Sequence, residues 1–320
     1  MEFIKIEDEI NYSKKRFQLS REIEDLFIEK SFSPINPTLF EDYESFISVN
    51  KRVKEESVVK FIHGAKILVL RPDITMNIIK NIIPRLQDNA KLKIFYNATI
   101  FKNFANLNIK EVRQMGVEYL GESSINAERE VIELALKVLK KYSDDFILEI
   151  GNSKYLNGLF NELKISREEK DKLKNLIYKK SKFELINYLK TLGLPEEKNE
   201  ILINIFRLQG SINEITNLAT NYFMNEEMMQ AINELITIND FCEKNGLLKN
   251  IHFDLSMITE LDYYEGIIFK GFYPSSNSEI ISGGRYDALT KIFGKKVPAI
   301  GFSVDLDELV RTFYVRGENS

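Results

Sequence analysis

Strand-like segments stand on both sides of a long stretch that carries only helix signals, and this interleaving constrains the fold more than any other feature of the 320 residues. Before the stretch, Lys93 to Lys102 (KIFYNATIFK) and Val112 to Leu120 (VRQMGVEYL) are dense in β-branched and aromatic residues. That predicts an antiparallel pair of strands joined by the Asn-rich loop Asn103 to Asn108. After it the β pattern returns at 251–258 (IHFDLSMI), 261–273 (LDYYEGIIFKGFY), 278–284 (SEIISGG) and 299–310 (AIGFSVDLDELV). In between, three S-x-x-E capping boxes (Ser166 with Glu169, Ser181 with Glu184, Ser211 with Glu214) each open a helix, and Gly210 and Gly246 stand where helices should stop. The expected architecture is α+β: a sheet-based core from 1–160 and 247–320, interrupted by a helical insertion at 161–246.

The flanks also supply helices to cover such a sheet. Residues 12 to 28 place Tyr12, Leu19, Ile23, Leu26 and Phe27 at helical spacing between charged residues, and an extended segment with Pro34 and Pro37 follows. Ala65 to Leu70 (AKILVL) reads as a strand ending at Arg71-Pro72-Asp73, where Asp73 can cap a helix running through Met76, Ile79, Ile82 and Ile83. A further helix buries Val131, Leu134, Ala135, Val138 and Leu139. No run approaches 18 apolar residues and the N-terminus has no apolar stretch of signal-peptide length, so a cytoplasmic protein without a membrane partner is expected. One cysteine, Cys242, and two histidines, His63 and His252, cannot assemble a Cys/His zinc cage, so no structural metal is expected. With 44 basic and 48 acidic side chains the net charge is -4, which lacks the footprint of a dedicated nucleic-acid binder.

Four segments could carry chemistry. Gln114, Gly116 and Glu118 alternate along a strand, so an amide and a carboxylate project from one face around a glycine that leaves space, a geometry suited to an ammonium or imidazole donor. A solvated edge-strand face uses the same pattern. In LDYYEG, Tyr264 and Gly266 set an aromatic wall beside an open floor, or simply pack. Ser282-Gly283-Gly284-Arg285-Tyr286-Asp287 puts paired glycines at a strand end, where a ligand or another backbone can approach closely. Arg71-Pro72-Asp73-Ile74-Thr75 offers a cation, a carboxylate and a hydroxyl at a helix start, with an ordinary N-cap as its plain alternative.

In order, R-P-D-x-T, F-K followed by Q-x-G-x-E, L-D-Y-Y-x-G-x-x-F, G-G-R-Y-D-x-L and A-I-G-F-S closely resemble the catalytic core of the histidyl-tRNA synthetase family, which includes paralogous regulatory subunits of ATP phosphoribosyltransferase. The resemblance runs from about Phe17 to Val310 and implies a class II synthetase-like antiparallel sheet flanked by helices, a dimer interface near Pro37 and a histidine pocket. Carried over by motif, Asp73, Thr75, Gln114, Glu118, Tyr263 and Tyr264 fall on histidine-binding positions, and Gly283 and Gly284 on the strand that floors the pocket. Lys102 stands where the synthetase has an arginine for the ATP α-phosphate and the substrate carboxylate; it keeps the charge and loses the bidentate fork.

Other departures concern ATP. The segment Thr259-Glu260-Leu261-Asp262-Tyr263 lacks the arginine that steadies adenylate formation, and Asp305 and Glu308 replace a glycine and the phosphate-binding arginine of motif 3. Catalysis by cationic clamps does not survive such reversals of sign. No anticodon-binding domain fits between Val310 and Ser320.

The resemblance therefore implies a non-catalytic regulatory subunit with no cofactor. Its expected partners are the short-form ATP phosphoribosyltransferase catalytic subunit, histidine as ligand and, at the least, a second copy of itself. Two other readings stay open at this stage. One is a truncated synthetase-like ligase that joins histidine to an acceptor other than tRNA; the other is an RNA-binding protein built on the same core.

Overall fold

The computed structural model describes residues 5–49, 57–104, 108–259 and 263–315. The chain divides into two compact units, one formed by Met1–Phe146 with Gly271–Ser320 and the other by Ile147–Lys270.

The first unit opens with α1 (Ile6–Glu29), β1 (Ser33–Pro34), β2 (Phe40–Asp42), α2 (Tyr43–Val49), β3 (Lys60–His63), β4 (Lys66–Leu70), α3 (Thr75–Ile82), β5 (Leu92–Phe104), β6 (Asn108–Leu120) and α4 (Asn126–Lys140). The β5–β6 ladder is longer than the residue pattern predicts: pairing runs from Leu92 opposite Leu120 to Phe104 opposite Asn108. The strands therefore take in Asn103, Phe104 and Asn108 of the expected loop, and 105–107 lie outside the described residues. A small sheet in the order β2-β4-β3 stands apart from this ladder.

The second unit contains β7 (Ile147–Asn152), α5 (Ser153–Asn161), α6 (Arg167–Tyr178), α7 (Lys182–Leu192), α8 (Glu196–Asn204), β8 (Gln209–Gly210), α9 (Ile212–Ala219), α10 (Glu226–Lys244), β9 (Ile251–Asp254) and the start of β10 (Ile267–Phe272). Two of the three expected capping boxes form: Ser166 Oγ accepts from the Glu169 N–H at 3.2 Å, Ser211 Oγ from the Glu214 N–H at 3.4 Å, and each glutamate carboxylate accepts the serine N–H at 2.7 Å. Ser181 closes no such box: its hydroxyl caps no helix N–H, and its own N–H is donated to the Leu176 carbonyl at 3.0 Å, closing α6 through the left-handed Lys180 at φ 51°. Gly246 does end α10, at φ 67°. Gly210 lies in β8 opposite Phe253 instead of at a helix end, and the left-handed Gly193 is the stop that ends α7.

The chain returns to the first unit through β11 (Ile281–Arg285), α11 (Asp287–Ile292), β12 (Ala299–Asp305) and α12 (Leu306–Val310). There the strands run β1-β5-β6-β12-β11; all these pairings are antiparallel except the short parallel pair β1–β5. One face of this sheet is apolar and sealed. Met115 and Val117 are fully buried, and Phe27 of α1 packs on Phe95 and Phe302 at ring separations of 5.7 and 6.0 Å. The alternate residues of β6, Gln114, Gly116 and Glu118, point to the other face, and that face carries the polar chemistry. No helix among the described residues is long and apolar enough to cross a membrane.

Candidate functional site

Glu118 is the centre of the polar face. It is 1% exposed, and its two carboxyl oxygens accept from two neutral hydroxyls: Oε1 from Thr75 Oγ1 at 2.6 Å, Oε2 from Tyr286. Register explains how so large an acid fits. Glu118 lies opposite Gly301 on β12, and Gly301 lies opposite Gly284 on β11, so two successive strands bring no side chain to this row. A methyl group on Gly301 would come within 2.1 Å of Glu118 Oε2 and 2.2 Å of the Val117 carbonyl. Gly283, the neighbour of Gly284, is buried opposite Phe302.

Burial pushes the Glu118 carboxyl up to about 8, with Asp73 adding to the rise and the bonds from Thr75 and Tyr286 opposing it. Asp73 is also raised, by desolvation, against the Met76 N–H that it accepts at 2.7 Å and the charge of Lys102. Asp73 thus caps α3 as expected, and the same cap holds Thr75 in the first turn against Glu118. Two desolvated acids face this space, and the hydrogen bonds given to Glu118 come from hydroxyls alone. An incoming ammonium or imidazole N–H supplies the missing positive partner.

The remaining expected residues divide. Gln114 is half-buried on the same face of β6, opposite Ala98 and Asp305. Gly116 does not leave open space: Tyr96, its partner on β5, fills it, and an added methyl group would meet the Tyr96 hydroxyl oxygen at 2.4 Å. Lys102 is exposed and opposite Lys110, acting on Asp73 through its charge. Tyr263 and Tyr264 belong to the second unit, where their rings meet at 4.9 Å and 42°. They precede β10 and are not strand residues, so no strand alternation sets Tyr264 and Gly266 on a common face. Glu260, Leu261 and Asp262 lie outside the described residues.

Reading the motifs for glycines alone misses two contributors. Tyr286 sits inside G-G-R-Y-D and donates to Glu118, while its neighbours Arg285 and Asp287 are structural: Arg285 pairs with Glu128 and Asp287, and Asp287 accepts the Ala299 N–H at 2.8 Å. Gly301 sits inside A-I-G-F-S. The signal available for Gly301 was the alternation of β12, which puts it on the face of Glu118; Tyr286 follows β11, and no strand alternation places it.

This constellation sits within a chain whose relatives are recognisable. The histidyl-tRNA synthetase family matches residues 10–309. The ATP phosphoribosyltransferase regulatory subunit of Clostridium novyi (strain NT) is 32% identical over 309 residues, covering 94% of this chain and 73% of that protein. The chain belongs to the ATP phosphoribosyltransferase regulatory-subunit family, a branch of the histidyl-tRNA synthetase-like proteins. Solved structures share its fold. An ATP phosphoribosyltransferase regulatory subunit/histidyl-tRNA synthetase from Bacillus halodurans C matches with a TM-score of 0.83 at 25% identity, over 94% of this chain and 79% of that one. A chain of the ATP phosphoribosyl transferase complex from Thermotoga maritima matches with a TM-score of 0.68 at 18% identity, over 95% and 98%.

In this chain, the two acids that the resemblance sets against a synthetase's motif 3 glycine and arginine are part of the scaffold. Glu308 is 4% exposed, accepts the Asn277 N–H at 2.8 Å and pairs with Arg311 at 3.2 Å. Asp305 accepts the Glu308 N–H at 2.9 Å and so caps α12.

Proposed function

We propose that the chain is the non-catalytic partner of a short-form ATP phosphoribosyltransferase catalytic subunit, and that it senses histidine through the Glu118 site to impose feedback inhibition on the first step of histidine biosynthesis. The observation that carries the reading is Glu118 itself: a buried acid bonded only to Thr75 and Tyr286, beside Asp73, is a receptor for an ammonium or imidazole group. The names of the relatives and the fold shared with a chain of the Thermotoga complex support the choice of partner. Asp73, Thr75, Gln114 and Glu118 would surround the ligand, Gly283 and Gly284 would floor it, and Lys102 would meet its carboxylate.

A second copy is part of the reading. Leu39, Phe40, Ile62 and Ile67 expose apolar surface on and beside the small sheet, from 40% to 80% of each residue, close in sequence to Pro37. A symmetric dimer would cover such a patch.

Two experiments test this. Mixing the chain with a short-form catalytic subunit should give co-elution, faster formation of phosphoribosyl-ATP and stronger inhibition by histidine; separate elution with no change in rate overturns the partnership. Glu118→Gln should weaken histidine binding in calorimetry by about two decades or more, the cost of unpairing a buried ammonium. Unchanged affinity would remove Glu118 from the site.

A further inference from the structure

Arg71 opens the R-P-D-x-T motif, and the histidine reading gives it no part. Its side chain is buried and donates to main-chain carbonyls: Nε to Thr99 at 2.7 Å, one terminal nitrogen to Pro37 and Thr38 at 2.7 and 3.1 Å. The Arg71 N–H adds a bond to the Leu39 carbonyl at 3.0 Å, and the Arg71 carbonyl accepts the Phe101 N–H at 3.1 Å. Arg71 therefore fastens the segment 37–39 to β5, a different task from the ligand contacts proposed for Asp73 and Thr75.

Asn77 grips the same segment from α3. It is 1% exposed, donates Nδ2 to Thr38 Oγ1 at 2.8 Å and accepts the Thr38 N–H at Oδ1 at 3.1 Å. Thr38 itself is exposed. Two residues earlier on the helix, Thr75 donates to Glu118 at 2.6 Å. Positions two apart on a helix differ by about 200°, so Thr75 and Asn77 leave α3 on opposite sides. One side holds the receptor acid and the other holds the surface segment. A buried amide bonded reciprocally to one residue leaves little freedom, so a shift of Thr38 carries α3 with it. The Thr75 bond to Glu118 depends on distance and angle and would follow that shift.

We infer that Arg71 and Asn77 are positioning residues of the Glu118 receptor, through which the exposed segment 37–39 sets the affinity of the site for its ligand. The inference rests on the histidine reading for that ligand. It adds residues that touch no ligand and act through Thr75.

The test is calorimetry with L-histidine on the full chain, on Thr38→Val and on Thr38→Ser, together with the melting temperature of each ligand-free protein. Thr38 is the residue to change, because Asn77 also opposes the upward shift of the buried Glu41 carboxyl and its loss would disturb two places at once. Valine keeps the shape of threonine and removes the acceptor for Asn77; serine keeps the acceptor. Thr38→Val should bind histidine about fivefold or more weakly than the parent, the low end of coupling between linked sites. Thr38→Ser should stay within about twofold of the parent. A Thr38→Val chain that melts lower yet binds like the parent assigns the clasp to folding and overturns the inference, as does one that does not fold. Serine as weak as valine shows that the hydroxyl is not the link and overturns it too. In each of these cases the parent still binds and the histidine reading stands. No binding by the parent overturns that reading, and the inference falls with it.

Discussion

Two sets of buried carboxyl groups in the first unit meet desolvation in opposite ways. Glu128 and Glu308 are sealed with cations: Arg285 holds Glu128 with side chains 9% and 6% exposed, and Arg311 holds Glu308. Glu118 and Glu41 are buried as deeply, but Glu118 receives only hydroxyls and no cation among the described residues forms an ion pair with Glu41. A carboxylate paired with a protein cation has its charge balanced on folding, even where, as at Glu128, one oxygen keeps no hydrogen bond. One left without a cation has a vacancy of charge that a ligand can fill. The contrast separates scaffold from receptor among acids that burial alone would not distinguish.

The largest expected effect lies on the sealed side. Arg285→Met should cost about 3–5 kcal/mol in urea denaturation, because Glu128 is left buried and unpaired. A loss under about 1 kcal/mol, the level of an exposed pair, would erase the contrast. Next comes the glycine row. Gly301→Ala should lose about 1–3 kcal/mol by overpacking, since the new methyl meets the Val117 carbonyl as well as Glu118. It should also abolish histidine binding, and a stable variant that still binds would show that Glu118 does not fill this space.

The third effect is a pH dependence. Glu118 and Glu41 are raised from 4.5 to about 8 and about 7. Over that window the native state keeps protons that the unfolded chain has given up, so stability falls as pH rises, by up to about 1.4 kcal/mol per pH unit for each group. Glu118→Gln should flatten the slope between about pH 5 and 8, and an identical slope in the variant would locate the titration elsewhere. The smallest effect compares two serines that share one sequence signature. Ser211→Ala should cost about 1 kcal/mol and Ser181→Ala distinctly less, since only Ser211 closes its box. Equal losses would mean the two caps work alike in solution.

That last pair marks how far local patterns carry. S-x-x-E names a helix start correctly at 166, 181 and 211, but whether the box closes depends on what the serine N–H is already doing, and at Ser181 the preceding helix has taken it. Strand and helix periodicity located β5, β6, α3 and α4, because each buries one face against one core. Of the site, Glu118 and Thr75 were legible from motifs, and their hydrogen bond follows from the cap at Asp73. Tyr286 and Gly301 were not, because their roles depend on cross-strand register and on burial. Gly116 misled for the same reason: a glycine shows that room is needed, not which neighbour takes it, and here Tyr96 does.

The row Glu118–Gly301–Gly284 has a consequence for how such a chain can change. At position 301, tolerance and recognition pull together, since any added carbon harms both. At position 118 they pull apart: glutamine removes a buried acid that the empty protein would be more stable without, and removes the receptor with it. Selection of random variants for heat resistance alone should therefore spare Gly301 and steadily discard Glu118, drifting toward a sturdier protein that has lost its ligand.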